Sequence, residues 1–545
     1  MDIFVNATIL DVYKKTNLIV SRILNHKVIL YILPLFPILA YVIIASFKIN
    51  YPGSMYDESL YLNAARGMVD GTTFITKTFH GIPVLLMPYI GALKSYIFYP
   101  IFKILGVSAM TMRLPNILIS AFAIYILYRA LIKKIGVFQS LLVISLVSLT
   151  ASFIVFTRLD NGPVVLEFLL KVLSLFFILK YFEKFDIKYL LMFWVVMFLG
   201  VFNKLNFIWY VNASFLAILV IYAKDIYFNL KKDKLIKTAT LSILSYLFIF
   251  GYFLYINKFY HLTSSLGFVG LSRVKSLLIG VVDGSWNYQY IYSNASISSS
   301  IYFYIIGLFI LIGIPVGINN IFKRKELITS KFLLLIDLIL LVLMVQIMFT
   351  KQATAGWHYF SIYPLIQISF IISIFLIMKL VFKNYKKFYT VLLSLIIIIM
   401  CGYQLNVYSK YLILVGHEPI NPLWSPGIFS LINYTESKGS AEFVSLDWGT
   451  HNQLIGFNPI KNKYYEFVDQ STDNSQSDNN YLYQRYVTNL SNPYYISYIE
   501  KNENISPSYR KKFVNLISIH KKSLEIVKTI YYDNSPIYNV YIIKP

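Results

Sequence analysis

Long apolar runs recur along this chain, and they constrain its fold more than any other feature. A run of about 17 residues or more with few charges is long enough to cross a bilayer as a helix. We find about eleven such runs, near 29–47, 114–132, 137–156, 163–181, 189–203, 206–223, 238–256, 299–318, 332–349, 360–378 and 389–405. The pattern predicts an α-helical polytopic membrane protein with about eleven spans.

The composition excludes the main soluble classes. Hydrophobic residues make up 57% of the chain and charged residues 14%, whereas soluble domains carry about 25% charged residues. Cys401 is the single cysteine, so an internally disulfide-bonded secreted scaffold is excluded. The net charge of +23 would suggest a nucleic-acid partner in a soluble protein. In a membrane protein, Lys and Arg gather in cytoplasmic loops, so we expect membrane partners and no nucleic acid.

The basic clusters predict the topology. With a cytoplasmic N-terminus and segment 84–105 lying on the membrane surface or re-entering it, nearly every short cluster is cytoplasmic. These clusters contain Lys133 and Lys134; Lys184 and Lys188; Lys224, Lys231, Lys232, Lys234 and Lys237; Lys323, Arg324 and Lys325; and Lys383, Lys386 and Lys387. The outer face then receives 48–113, a short loop at Asp160, 257–298 and the chain from 406 onward.

The tail from residue 406 differs from the rest of the chain, since it is rich in Tyr, Asn and Ser and contains no spanning run. Its patterns predict a strand at 442–447, helices near 427–437, 477–489 and 506–521, and a closing hairpin formed by 525–532 and 537–543. We therefore expect a transmembrane domain over 1–405 and an extracytoplasmic α/β domain over 406–545.

Three acidic residues in two segments fall on the predicted outer face. Asp57 and Glu58 begin a helical stretch, where the helix dipole favours negative charge, so a capping role is one alternative. Adjacent helical residues point about 100° apart, which predicts that one acid lies in a site and the other supports it. Asp160 follows Arg158 between two spans; here the alternatives are a hydrated carboxylate and a snorkelling arginine.

Cations on the outer face require a reason, because the positive-inside rule disfavours them there. His261, Arg273 and Lys275 lie in the third outer loop, where an anionic ligand is one explanation and simple hydration is another. His358 stands beside aromatic residues just before a span, a position also typical of an aromatic belt. Within the fourth run, Glu167 and Lys171 have the spacing of a helical ion pair.

Several motifs follow one another in a fixed order. They are Asp57-Glu-Ser-Leu-Tyr-Leu-Asn-Ala-Ala-Arg66, Gly71, His80-Gly-Ile-Pro83, Pro88, Leu105-Gly106-Val-Ser, Arg113-Leu-Pro115, Arg158-Leu-Asp160-Asn and Asn203-Lys204. The ordered set, over about 30–300, resembles the type C glycosyltransferases, especially protein O-mannosyltransferases and bacterial lipid A aminoarabinose transferases. Where aminoarabinose transferases carry a Glu-Lys pair before a double proline, this chain has Leu86-Met87 before Pro88.

The resemblance implies an inverting glycosyltransferase of the cell envelope. A sugar on a polyprenyl phosphate, such as dolichyl phosphate mannose, would pass to an acceptor hydroxyl at the extracytoplasmic side of the plasma (inner) membrane. The implied catalytic residues are Asp57 as base and Asp160, with support from Glu58, Arg158 and His80. The implied donor-phosphate ligands are Arg273, His261, Lys275, Lys204 and His358. A divalent cation is possible, and the acceptor is left open between protein, lipid and glycan.

Two other classes of function remain as alternatives. A transporter or lipid flippase would place charges along a central path and show repeats or broken helices at midplane. A non-catalytic membrane scaffold would use the tail domain to bind partners. The acids lie mainly in predicted outer loops, and no internal repeat is visible, which favours the glycosyltransferase.

Overall fold

The computed structural model describes residues 27–65, 77–79, 82–87, 89–259, 267–291, 300–351, 353, 355–383, 385–414, 422–447, 449–457, 462–467, 476–499 and 507–545. Most of these residues are helical. In chain order the helices are α1 (Lys27–Ile32), α2 (Leu35–Ser46), α3 (Tyr56–Ala65), α4 (Leu93–Leu105), α5 (Ala109–Ile135), α6 (Val137–Leu149), α7 (Ala151–Leu159), α8 (Val164–Lys184), α9 (Ile187–Asn203), α10 (Ile208–Asn229), α11 (Lys232–Phe259), α12 (Leu271–Asp283), α13 (Ser285–Ile291), α14 (Ser300–Phe322), α15 (Leu327–Met348), α16 (Gly356–Tyr359), α17 (Leu365–Val381), α18 (Lys386–Leu414), α19 (Gly427–Ser437), α20 (Thr450–Phe457), α21 (Gln476–Tyr483) and α22 (Pro507–Ile519). The strands are β1 (Lys77–Phe79), β2 (Ile82–Met87), β3 (Ile90–Gly91), β4 (Glu442–Ser445), β5 (Lys463–Glu466), β6 (Tyr494–Tyr498), β7 (Ser523–Tyr532) and β8 (Ser535–Lys544).

The described residues contain 6 helices that are long and apolar enough to cross a membrane, or up to 8 if each of two bent pairs is one span. The bent pairs are α6 with α7, at 61°, and the segment Gly356–Ile362 with α17, at 42°. The predicted count of about eleven is therefore not confirmed. The three remaining runs are helical but differ from simple spans: Leu30–Ser46 and α9 are shorter, and α8 carries Glu167 and Lys171 in its first half.

The bend between α6 and α7 is stabilised by a distant side chain. The Thr150 hydroxyl donates to the Leu146 carbonyl at 2.5 Å, and the Ala151 amide donates to Gln404 Oε1 of α18 at 2.9 Å. Hydrocarbon supplies no hydrogen bonds, so a helix break within a membrane requires such partners. The bend aims α7 so that Arg158 and Asp160 lie at its far end.

The segment 84–105 does not form a spanning helix. Strands β1, β2 and β3 form a small antiparallel sheet, and α4 has 13 residues, which corresponds to about 20 Å at 1.5 Å per residue. That length is well short of the ~30 Å hydrocarbon core. The Leu205 amide donates to the Tyr89 carbonyl at 2.9 Å, which ties this segment to the end of α9.

The C-terminal sheet has five strands in the order β5-β4-β6-β8-β7, with β4 parallel to β5 and β6, and β8 antiparallel to β6 and β7. The predicted strand at 442–447, the three predicted helices and the closing hairpin are confirmed. The hairpin turns at Asp533 and Asn534, which have φ of 48° and 59°, as a two-residue type I′ turn requires. Strands β5 and β6 and helix α20 were not predicted.

The sheet domain is joined to the first loop of the bundle. Gln453 of α20 donates its side-chain amide to the Ser54 carbonyl, and the Gly53 amide donates to the Trp424 carbonyl at 2.7 Å. Phe457 packs against the small cluster that contains Phe98 and Phe102 of α4. Helix α3 therefore lies between the bundle and the C-terminal domain.

Candidate active site

Lys204, at the end of α9, lies at the centre of the charged residues at this end of the bundle. Its side chain is fully buried, and its Nζ lies 3.6 Å from Glu167 Oε2. It also lies within electrostatic range of Asp57 and Asp160. Glu167 forms the predicted ion pair with Lys171 at 3.3 Å, and Lys171 donates to the Ser361 carbonyl at 2.7 Å. The predicted helical pair is thus part of a larger buried charge cluster.

Asp57 is on the first turn of α3, and its side chain is only partly buried. Burial raises the pKa of its carboxyl to about 7, an effect that nearby Lys204 opposes and Glu58 reinforces. No ion pair joins Asp57 to another side chain of the described residues. Its electrostatic neighbours include four tyrosines: Tyr56, Tyr61, Tyr89 and Tyr290. The environment thus leaves Asp57 able to exchange a proton near neutral pH.

Glu58, the residue after Asp57, is held by an ion pair. Its carboxylate accepts two hydrogen bonds from Arg113, at 2.9 Å from Nε and 2.8 Å from Nη2. Arg113 also donates to the carbonyls of Ile49, Pro52 and Gly53. Both side chains are buried, and this bidentate pairing is the strongest geometry that an arginine and a carboxylate adopt. Glu58 therefore fixes the start of α3.

Asp160 caps the end of α7 in a left-handed conformation with φ of 51°. Its Oδ2 lies 2.5 Å from the ammonium of Lys94 on α4, and its Oδ1 accepts a hydrogen bond from the Val165 amide at 2.7 Å. The Lys94 ammonium also lies 4.2 Å from the centre of the Tyr61 ring on α3. Asp160 is fully buried, so the alternative of a merely hydrated carboxylate is wrong. Asp160 and Lys94 connect α3, α4 and α7.

Arg158 is buried rather than snorkelling to an interface, so that alternative is also wrong. Its guanidinium donates to the carbonyls of Lys48 and Tyr51 and lies 3.4 Å from the Tyr408 hydroxyl. These contacts fix the chain that leads from α2 into α3. A role in fixing this backbone follows from the geometry.

Of the remaining predicted site residues, one is buried near the charge cluster, two are exposed and two lie outside the described residues. His358 of α16 is buried, with its Nδ1 3.4 Å from the Asn206 side-chain amide and its ring 5.9 Å from that of Tyr89. It lies within electrostatic range of Lys204, so it adjoins the charge cluster. Arg273 and Lys275 are exposed on α12. His80 and His261 lie outside the described residues.

The described side chains do not form a typical set of metal ligands. Within the part of the chain that the structure describes, no group of three or more His, Cys, Asp or Glu residues could hold a metal ion. Lysine ammonium groups neutralise the carboxylates of the charge cluster instead. Lys94 pairs with Asp160, and Lys171 and Lys204 pair with Glu167.

Two residues of the site were not assigned a role from the sequence. Lys94 interrupts the otherwise apolar segment 84–105, and Arg113 belongs to the Arg113-Leu-Pro115 motif, but neither position alone indicates a role in the site. An unpaired lysine in an apolar segment is itself a signal, because burying a charge requires a partner. The partner's identity depends on a contact between residues 94 and 160, which no local pattern reveals.

No protein-family model matches the sequence, and no curated protein matches it significantly. Solved structures do match its fold. ArnT from Cupriavidus metallidurans in the apo state superposes with a TM-score of 0.55 at 11% identity, covering 93% of this chain and 97% of that one. The same protein bound to undecaprenyl phosphate gives 0.51, 11% identity and the same coverage. The Archaeoglobus fulgidus oligosaccharyltransferase in its apo form gives 0.51 at 11% identity over 86% of this chain and 70% of that one.

These solved structures are type C glycosyltransferases, and each superposes on most of the length of this chain. Of the residues in this sequence that resemble the family, Asp57 lies on α3, Asp160 caps α7 and Lys204 follows α9. The chain therefore has the fold of the type C glycosyltransferases.

Proposed function

We propose that this protein is an inverting glycosyltransferase that moves a sugar from a polyprenyl phosphate to an acceptor hydroxyl. Asp57 takes the proton of the acceptor hydroxyl, whose oxygen then forms a bond to the anomeric carbon of the sugar. The bond from that carbon to the phosphate oxygen breaks, and polyprenyl phosphate leaves with the electron pair. One displacement inverts the anomeric centre.

The observation that best supports this proposal is the contrast between the carboxylates of the site. Glu58 and Asp160 are tied to Arg113 and Lys94, whereas Asp57 is partly exposed and makes no ion pair within the described residues. Burial raises the pKa of Asp57 to about 7, which is close to the operating pH that suits a general base. Lys204 beside it stabilises the ionised form that the reaction needs.

We propose that the donor phosphate is bound by cations at the same end of the bundle. Arg273 and Lys275 are exposed on α12, so they are free to meet a lipid headgroup. Lys204 and His358 lie deeper, and His261 remains a candidate from the sequence. A guanidinium offers a fork of donors that matches phosphate geometry, which makes Arg273 the preferred ligand. The exposed position of Arg273 and Lys275 and their charge support the proposal. It is also supported by the similar structure of ArnT, which was solved with bound undecaprenyl phosphate.

We propose that this end of the bundle faces the extracytoplasmic side of the plasma membrane, with a transmembrane domain over 1–405 and an outer domain over 406–545. The basic loops predict this orientation. Helix α18 extends past residue 405 to Leu414, and the sheet begins at Glu442. A donor whose tail stays in the bilayer requires a site at the membrane edge, where Asp57 and Lys204 would lie.

The decisive experiment compares cells with and without the gene by mass spectrometry of membrane lipids and glycoconjugates. We expect the deletion to remove one sugar from one glycoconjugate and to increase the matching polyprenyl-phosphate sugar. Expression of the wild-type chain should restore both, and the Asp57→Asn variant should restore neither. A lipid carrier that changes sides without any change in a glycoconjugate would instead favour the flippase alternative.

A further inference from the structure

The C-terminal domain contacts α3 near the carboxyl end of the central parallel strand, β4. Strands β4, β5 and β6 are parallel, and β5 and β6 lie on opposite sides of β4. The carboxyl end of β4 is therefore a topological switch point, where open α/β sheets form a crevice that binds ligands. In this protein Gly449 and α20 follow β4, and Glu466 ends β5. Residues of the protein's own first loop contact the segment that follows β4 at this end of the sheet.

Tyr56, immediately before Asp57, is the residue that Gly449 touches. Gly449 has φ of 89°, and a Cβ atom built on it would lie 3.0 Å from Tyr56 Cβ and 3.2 Å from Tyr56 Cγ. A side chain at this position would therefore both strain the backbone and displace Tyr56. The adjacent contact from Gln453 to the Ser54 carbonyl fixes the chain two residues before Tyr56. The close approach is specific to glycine.

Glu466 holds Gly449 in this position. Its Oε1 accepts a hydrogen bond from the Gly449 amide at 2.8 Å, and its carboxylate lies within electrostatic range of Tyr56. The residues immediately before and after Asp57 are thus both held in place by contacts. Arg113 fixes Glu58 from the bundle, and Glu466 fixes Tyr56 through Gly449 from the C-terminal domain.

We propose that Glu466 is a positioning residue, which acts through Gly449 and Tyr56 to hold Asp57 in its partly buried place beside Lys204. This inference rests on the proposed function only for the role of Asp57 as the base. The C-terminal domain would then contribute to the chemistry without touching the reacting atoms. Loosening the contact would expose more of the Asp57 side chain to water, and the pKa of its carboxyl would fall towards the ordinary value of 3.8.

The test measures Asp57 directly and needs no substrate. Dicyclohexylcarbodiimide reacts with protonated carboxyl groups, so the pH dependence of Asp57 labelling, read by peptide mass spectrometry on the full-length protein in nanodiscs, gives its titration midpoint. We expect a midpoint near pH 7 in the wild type. Glu466→Ala should lower it by at least about one pH unit, whereas Glu466→Gln should retain it because the amide oxygen still accepts from Gly449. The charged and titratable groups near Asp57 are unchanged in these variants: Lys204, Glu58, Tyr56, Tyr61, Tyr89 and Tyr290.

A matched pair of glycine variants decides the proposal independently. Gly439 also has a positive φ, of 65°, in the same domain, but a Cβ atom there would meet nothing within 4 Å. Gly449→Ala should lower the Asp57 midpoint, and Gly439→Ala should leave it unchanged. Equal midpoints in these two variants would overturn the proposal, even if Glu466→Ala fails to fold. If the midpoints shift as expected but transfer in cells does not depend on Asp57, the positioning role stands and the proposed function is wrong.

Discussion

At the scale of single residues, Asp57 and Glu58 are adjacent in sequence and have contrasting surroundings. Glu58 forms a buried ion pair with Arg113, whereas Asp57 is partly exposed and lies near the buried Lys204. The helix start alone predicts only that the two acids differ, because their side chains point about 100° apart. The structure adds which of them is constrained, through a contact to a residue 55 positions away.

We expect Asp57→Asn to reduce transfer by at least ~100-fold while the protein still folds. The amide keeps the shape of the side chain but cannot accept the proton. Transfer would be measured in membrane vesicles that contain the endogenous lipid donors, with the amount of folded protein determined by size-exclusion chromatography. Normal transfer by this variant would rule out Asp57 as the base.

Glu58→Gln should affect stability more than the chemistry. It leaves the buried Arg113 charge without its partner, and breaking such a pair typically costs about 3–5 kcal/mol. We expect a lower thermal midpoint in detergent and less folded protein, with transfer per folded molecule reduced less than in Asp57→Asn. A stable variant without transfer activity would indicate that Glu58, and not Asp57, is the base.

The pH dependence of transfer follows from the pKa of Asp57, which is raised from 3.8 to about 7. A base must be ionised, so transfer should rise with pH through about 7 and level off above it. Stability should change in the opposite direction, because a raised carboxyl pKa stabilises the fold at low pH and this contribution is lost as pH rises through 7. Initial rates and thermal midpoints measured from pH 5 to 9 would test both directions, and a flat rate profile would contradict the assignment.

At the scale of elements, α12 offers exposed cations next to a largely buried site. Arg273→Ala should weaken use of the lipid donor, seen as a higher donor concentration for half-maximal rate, and should leave expression unchanged because the side chain is exposed. Lys351→Ala is a suitable control, since this lysine is also exposed. If both variants use the donor like the wild type, Lys204 and His358 become the better phosphate ligands.

The elements also show what a sequence can and cannot predict here. The apolar runs locate the long helices because length and apolar composition are local properties, and Asp57, Asp160 and Lys204 stand out because charge is rare in such a chain. The bend at Thr150 depends on Gln404, which is 254 positions along the chain from Thr150, and the short strands β5 and β6 depend on pairing with β4. Such long-range contacts leave no local pattern.

At the scale of the whole molecule, the proposed orientation places the C-terminal domain outside the cell. Ser535→Cys, on an exposed part of the closing hairpin, should react with an impermeant thiol reagent in intact cells. Arg324→Cys, in a basic loop between two spans, should react only after permeabilisation, and the native Cys401 is buried and should give little background. The reverse pattern would place Asp57 on the cytoplasmic side.

The contact between Gln453 and Ser54 joins residues that are 399 positions apart, which has a consequence for biogenesis. At a synthesis rate of about 5–20 residues per second, the loop that carries Asp57 is made roughly 20–80 seconds before α20 exists. During that interval a nascent chain already inserted in the bilayer contains Asp57, the proposed base, but lacks the domain that we propose positions it. If the proposed function is correct, a newly made chain would therefore stay inactive until its C-terminal domain has been made, and incomplete chains would not consume the activated lipid sugar.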